Sequence, residues 1–268
     1  MSITAKPGTP LLEVRGLELR FGALTAFTDV GFHVDEGELF AVIGPNGAGK
    51  TSLFNVLSRI YRPTRGTVHY RGVDMATMKV AGLAEAGIAR TLQNLGLFAN
   101  LTVLDNVLIG RHHLLRSGPL RGGIWVGPAR AEERPARAAA MEALKFAGIA
   151  DRAGEWVATL PYGVRKRVEL ARALAMEPSL LLLDEPVAGM SAAERKEVTT
   201  LVERIHRERG LGIVLVEHDM GMVMQVAQRI LVLDFGRAIA LGTPEAIQRD
   251  DGVIRAYLGE PLGLEAAG

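Results

Sequence analysis

The sequence predicts an α/β fold in which a parallel sheet lies among helices, with antiparallel β-structure near the N-terminus and a helical insertion. Three observations carry this expectation. Four continuous apolar runs, LFAVI (39–43), LLLL (180–183), IVLV (213–216) and ILVL (230–233), suit strands buried on both faces of a parallel sheet. Helical patterns at 50–58, 165–175 and 192–208 lie between them, which is the alternation of an α/β core. Between residues 94 and 159 that rhythm stops.

The elements follow in order. Residues 11–20 (LLEVRGLELR) and 66–70 alternate apolar and polar side chains, as half-exposed antiparallel strands do. In the interruption, LTVLDNVLIGRHHLL and AAAMEALKFAGI have helical spacing around a Gly/Pro-rich segment, SGPLRGGIWVGP (117–128). The resulting division places an α/β core with its antiparallel subdomain in residues 10–92 and 166–240, the helical insertion in 93–165, and a tail in 241–268. No internal repeat is present.

Composition narrows the function classes. The 268 residues can bury a sizeable core, and 31 Lys plus Arg against 30 Asp plus Glu create no global field for nucleic acid. Cys is absent, which removes disulfides and thiolate metal sites and suits a reducing cytoplasm. MSITAKPGTP has no apolar core of a secretory signal, and no run approaches the roughly 20 apolar residues of a membrane helix. Mean hydropathy is +0.17, so a membrane role would come through partners.

The strongest local pattern is GPNGAGKT, residues 44–51, which follows the LFAVI strand and opens a helix. That is the context of a P-loop, whose glycines let backbone N–H groups wrap phosphates. Gly44, Pro45, Asn46, Gly47, Ala48, Gly49 and Ser52 would form the cradle. Lys50 would reach the β- and γ-phosphates, and the Thr51 hydroxyl would ligate Mg²⁺.

Two further strand ends carry chemistry. LLLLDEP ends in Asp184 and Glu185. Alone the pair could cap the next turn; beside a P-loop, Asp184 would hold Mg²⁺ through water and Glu185 would act as general base on the attacking water. VEHD (216–219) puts His218 at the end of another parallel strand, where ligands of such sheets gather.

In this order the motifs resemble those of the nucleotide-binding subunits of ABC transporters, and the resemblance covers nearly the whole chain. It implies a P-loop NTPase, RecA-like core with an inserted helical subdomain, the ABC ATPase fold. It identifies Gln93, in ARTLQNLGLF, as the Q-loop glutamine that contacts Mg²⁺ and signals to the membrane partner. It makes Phe21 the aromatic that stacks on adenine and His218 the switch histidine, and it puts LPYGV (160–164), with Tyr162 and Gly163, in the place of the signature LSGGQ. FGALTAF, LPYG and the tail VIRAYLGEP are similar to the ATPase subunits of branched-chain amino acid importers. The resemblance further implies ATP and Mg²⁺ as cofactors, a second ATPase subunit (identical or paralogous), separate permease subunits, and a place on the inner face of the plasma membrane.

Departures from the pattern are visible. Pro161 and Val164 stand where the signature has Ser and Gln, and Ser191 in AGMS takes the D-loop Asp position. Helix N-termini favour anions, yet the stretch after LPYG opens with Arg165, Lys166 and Arg167. The resemblance implies that the missing anion is ATP bound to the opposite subunit. Trp125, in the Gly-rich segment, is a candidate permease contact or a ring packed on its own helix. Other readings of the fold are an exporter ATPase and a soluble cassette acting on DNA or the ribosome. Arg-rich residues 111–137 are interrupted by Glu132 and Glu133 without an aromatic ladder, which argues against nucleic acid.

Overall fold

A computed structural model of the chain describes residues 8–91, 95–114 and 128–258. Its elements start where the apolar pattern starts. Strand β1 (Leu12–Phe21) buries Leu12, Val14, Leu17 and Leu19, and β2 (Leu24–Val34) returns beside it. Strand β3 (Leu39–Ile43) is buried at all five positions, and helix α1 (Lys50–Leu57) follows it. Strands β4 (Arg65–Tyr70) and β5 (Val73–Asp74) form a hairpin. Helix α2 (Gly82–Glu85), strand β6 (Ile88–Arg90) and helix α3 (Val103–Gly110) come next. The Thr102 hydroxyl caps α3 by accepting the Asp105 N–H at 3.1 Å.

Helix α4 (Pro128–Phe146) precedes α5 (Tyr162–Ala175), whose N-cap, Pro161, supplies no side-chain bond. After β7 (Leu180–Asp184), helix α6 (Ala192–Arg209) opens on a capping box between Ser191 and Glu194 and stops at Gly210 in the left-handed region. Strand β8 (Gly212–Val216), helix α7 (Met220–Val226), strands β9 (Arg229–Asp234) and β10 (Arg237–Gly242), and helices α8 (Pro244–Gln248) and α9 (Asp251–Leu258) complete the chain.

The contacts divide the chain into two units, one holding residues 81–211 and the other residues 4–80 and 212–268. In the latter, β3 pairs in parallel with both β8 and β9, and β10 joins β9 antiparallel. Val42 of β3 lies opposite Val216 of β8, so the chain leaves both strands at the same sheet edge, just before Gly44 and His218. Ligands of parallel sheets bind at such carboxyl ends. The second sheet of this unit, in the order β2-β1-β4-β5, is antiparallel. Its alternating strands and the continuous runs of the other sheet take the places that sequence pattern predicts.

In the unit of residues 81–211, β6 and β7 pair in parallel. Helices α3, α4 and α5 pack on one another, and Val103, Val107, Ala140, Leu144, Val168 and Ala171 along them are buried. The described residues between 95 and 165 lie in this unit.

Candidate functional site

The P-loop forms because β3 must end abruptly. Gly44 has φ 152°, and a Cβ there would lie 2.1 Å from the Leu233 carbonyl oxygen of β9, so no other residue fits between the strands. Gly49, at φ 97°, is the N-cap of α1 and passes the Ala26 carbonyl with no room for a Cβ, which would sit at 2.7 Å. The β9–β10 turn braces the loop: the Gly236 N–H donates to the Ala48 carbonyl at 3.2 Å, and its own carbonyl accepts from Thr28 N–H at 2.9 Å.

Lys50 is buried, and its ammonium donates to the carbonyls of Gly44 (2.6 Å) and Pro45 (2.8 Å). The cation is thus held inside the loop whose backbone would wrap a phosphate. Asn46 and Gly47 at the loop crest are exposed, as is Thr51, with Ser52 half-buried beside it. A tail residue that sequence reasoning did not select also reaches the loop: the Tyr257 phenol of α9 accepts from Gly44 N–H, and burial pushes that phenol up to about 12.

Phe21, at the end of β1, is half exposed and meets Tyr61 edge-on, with ring centroids 5.2 Å apart. Two exposed aromatic faces after β1 and α1 are available for a flat ligand. Tyr61 was not distinguished by any sequence motif. His218 is exposed after β8, and the residue before it, Glu217, is fully buried.

The second unit carries the acidic pair. Asp184 ends β7 with its carboxylate buried and 3.0 Å from the Arg90 guanidinium. Burial raises this carboxyl above its ordinary range; Arg90 and, more weakly, Lys166 oppose the shift. Glu185 has φ 44°, a left-handed conformation rare for a long side chain and worth about 1–3 kcal/mol of strain. Strand β7 ends at Asp184, and the left-handed residue follows directly after it.

At the start of α5 the structure puts an anion on the LPYG segment. Glu194 of α6 accepts from the Gly163 N–H, and a Cβ at Gly163 would stand 2.8 Å from its Oε1. Bonds from Ser191 first, then from Gly163, hold the Glu194 carboxyl below its ordinary range. Tyr162 lies under the Arg165 guanidinium, 5.9 Å from ring centroid to carbon. Gln93 lies outside the described residues, as do Trp125 and the rest of 115–127. Immediately after Gln93, Arg172 of α5 donates to the carbonyls of Leu95 (2.8 Å) and Gly96 (2.5 Å), bracing the segment; nothing in its motif context marked it.

Comparison with known proteins places this geometry. The family model described as ABC transporter matches residues 27–188, and a second, described as branched-chain amino acid ATP-binding cassette transporter, matches residues 239–262. The chain is 39% identical, over 94% of its length and 98% of the relative's, to the high-affinity branched-chain amino acid transport ATP-binding protein LivG of Salmonella typhimurium. It is 38% identical over 94% of its length to BraF, of the same description, from Pseudomonas aeruginosa, again covering 98% of that protein. Among solved structures, the ADP conformation of MJ1267, an ATP-binding cassette of an ABC transporter, superposes with a TM-score of 0.79 at 27% identity, covering 94% of this chain and 99% of that one.

Proposed function

Because the chain belongs to the ABC transporter family of ATP-binding subunits and is an ATPase of that type, we propose that it drives an importer for branched-chain amino acids or related small molecules. The observation that carries the importer reading is likeness to LivG and BraF from end to end, tail included. No described helix is long and apolar enough to cross a membrane. In this reading the translocation path lies in separate permease subunits.

The roles follow from the chemistry of each group. Lys50 leaves the carbonyls of Gly44 and Pro45 to neutralise the β- and γ-phosphates, while backbone N–H groups of the loop and of the first turn of α1 donate to them. Glu185 takes the proton from the attacking water, and His218 holds the γ-phosphate side of the reaction. Phe21, beside Tyr61, stacks on adenine. Thr51, Asp184 and Gln93 are the residues that would hold Mg²⁺, each through a hard oxygen donor of the kind that ion takes. When bound, the ion would neutralise charge on the transferred phosphoryl group. Among the described residues no group of three or more His, Asp or Glu is arranged to hold a metal alone.

Two such subunits, identical or paralogous, would close on two ATP molecules, each nucleotide lying between the P-loop of one and the Tyr162–Gly163 corner of the other. Closure would move the permease subunits docked near α3, where Phe98, Ile109 and Leu114 are exposed. The test is uptake of radiolabelled leucine, isoleucine and valine by cells lacking this chain, complemented with the parent or with Glu185→Gln. Restoration by the parent only is expected; restoration of none of the three by the parent would remove the substrate assignment.

A further inference from the structure

Glu217 is a buried carboxylate to which no motif gives a role. It follows β8, every residue of which is buried, and its own exposure is 0%. Taking a carboxylate out of water is strongly unfavourable unless it is hydrogen-bonded and matched in charge. Its Oε2 accepts the backbone N–H of His218 at 2.9 Å and of Asp219 at 3.1 Å, and stands 3.6 Å from His218 Nδ1.

Capping the helix that follows does not require it. The Asp219 side chain already caps α7 by accepting the Met222 N–H at 2.9 Å. What Glu217 adds is a fixed negative charge beside one particular ring nitrogen of His218. An imidazole next to a buried carboxylate keeps its proton on the near nitrogen and loses rotational freedom, and the same carboxylate stabilises the ring when it becomes a cation.

We infer that Glu217 is a positioning residue for ATP hydrolysis: its carboxylate holds the His218 ring in the Nδ1–H tautomer and in one orientation, leaving the lone pair on Nε2. In that state Nε2 accepts a hydrogen bond from water; in the imidazolium state its N–H donates to a phosphate oxygen. This rests on the assignment of His218 to the hydrolytic site.

The experiment compares steady-state ATPase kinetics of the parent, Glu217→Gln, His218→Ala and the double variant. Glu217→Gln keeps a side-chain oxygen that can accept from both backbone N–H groups and removes the negative charge. The expected result is a kcat about tenfold lower or more, the range typical when a partner that orients a functional imidazole is lost, with KM for ATP within about twofold of the parent. The double variant should be no slower than His218→Ala, because a residue acting through the imidazole has nothing left to orient. If Glu217→Gln slows His218→Ala by the same factor as it slows the parent, Glu217 merely supports the fold and the inference fails alone. Parental kcat in His218→Ala removes the assignment of His218, and this inference with it. A second readout needs no variant at the buried site: the ¹⁵N spectrum of labelled histidine in the resting protein, with His218 assigned by its loss in His218→Ala. The Nδ1–H tautomer is expected, and the Nε2–H tautomer overturns the inference.

Discussion

The Glu194 carboxylate sits on the N–H of Gly163, at the first turn of α5, where an ideal Cβ on Gly163 would come within 2.8 Å of Glu194 Oε1. The three cations that follow also have partners within the chain. Lys166 is 2.9 Å from Glu169, both essentially buried; Arg167 is 2.6 Å from Glu197; Arg165 lies over Tyr162. The anion that the basic turn calls for is therefore supplied first by carboxylates of this chain, with Glu194 at the helix terminus itself. Nucleotide from an opposing subunit would have to displace or share that carboxylate.

Gly163→Asp is expected to abolish ATP-driven dimerisation while leaving ATP binding by the monomer intact. Analytical ultracentrifugation of the Glu185→Gln background, with and without ATP, measures the first, and nucleotide titration the second. Because the new carboxylate would also crowd Glu194, the same change is made in Glu194→Ala. Dimerisation regained there would mean that Gly163→Asp acted through Glu194 and not against phosphate.

Lys166 is unsuited to a test of long-range attraction, because its ammonium is buried. Lys166→Glu places two carboxylates in one buried spot, and breaking a buried pair costs about 3–5 kcal/mol. Denaturant unfolding should show a loss of that order. Lys166→Met combined with Glu169→Met should lose far less, since replacing both ions by apolar side chains is commonly close to neutral. Equal losses in the two variants would show that packing, and not charge, decides this site.

Lys50→Ala should abolish the ATP-dependent rise in melting temperature, the linkage signature of ligand binding to the folded state. A retained shift of parental size would contradict the role of Lys50.

Tyr257→Phe removes the acceptor on Gly44 N–H and keeps the ring. A severalfold rise in the Kd for ATP is expected from loss of about one hydrogen bond's net worth, roughly 0.5–1.5 kcal/mol. Calorimetry of the purified chain checks it, and an unchanged Kd would show that the tail does not act on the P-loop.

The P-loop was legible in full because its chemistry is local: strand, glycines, lysine and helix follow one another in residues 39–57. Strands β3, β7, β8 and β9 announced themselves because both faces are buried, whereas β6 has three residues, too few to display a period. Strand β2 carries exposed, half-buried and buried positions without strict alternation, so it lacked a clear signature. Helix α5 begins three residues earlier than its apolar spacing suggests, since Tyr162, Gly163 and Val164 precede the first charged turn. What the sequence could not display were relations set by packing. Glu194 is 31 positions from Gly163, Arg172 reaches back to Leu95, and Glu217 looks like any polar residue after a strand until its burial is known.

The most direct measurement of the central claim is ATP-driven uptake into proteoliposomes that contain this chain with permease subunits and a binding protein of the branched-chain amino acid importer type. Leucine, isoleucine and valine should accumulate with ATP and Mg²⁺ inside, and Glu185→Gln should lower both uptake and phosphate release by at least about a hundredfold, as loss of a general base does. Parental phosphate release and uptake in Glu185→Gln would contradict the assignment of Glu185. ATP hydrolysis by the parent without accumulation of any of the three amino acids would contradict the importer reading.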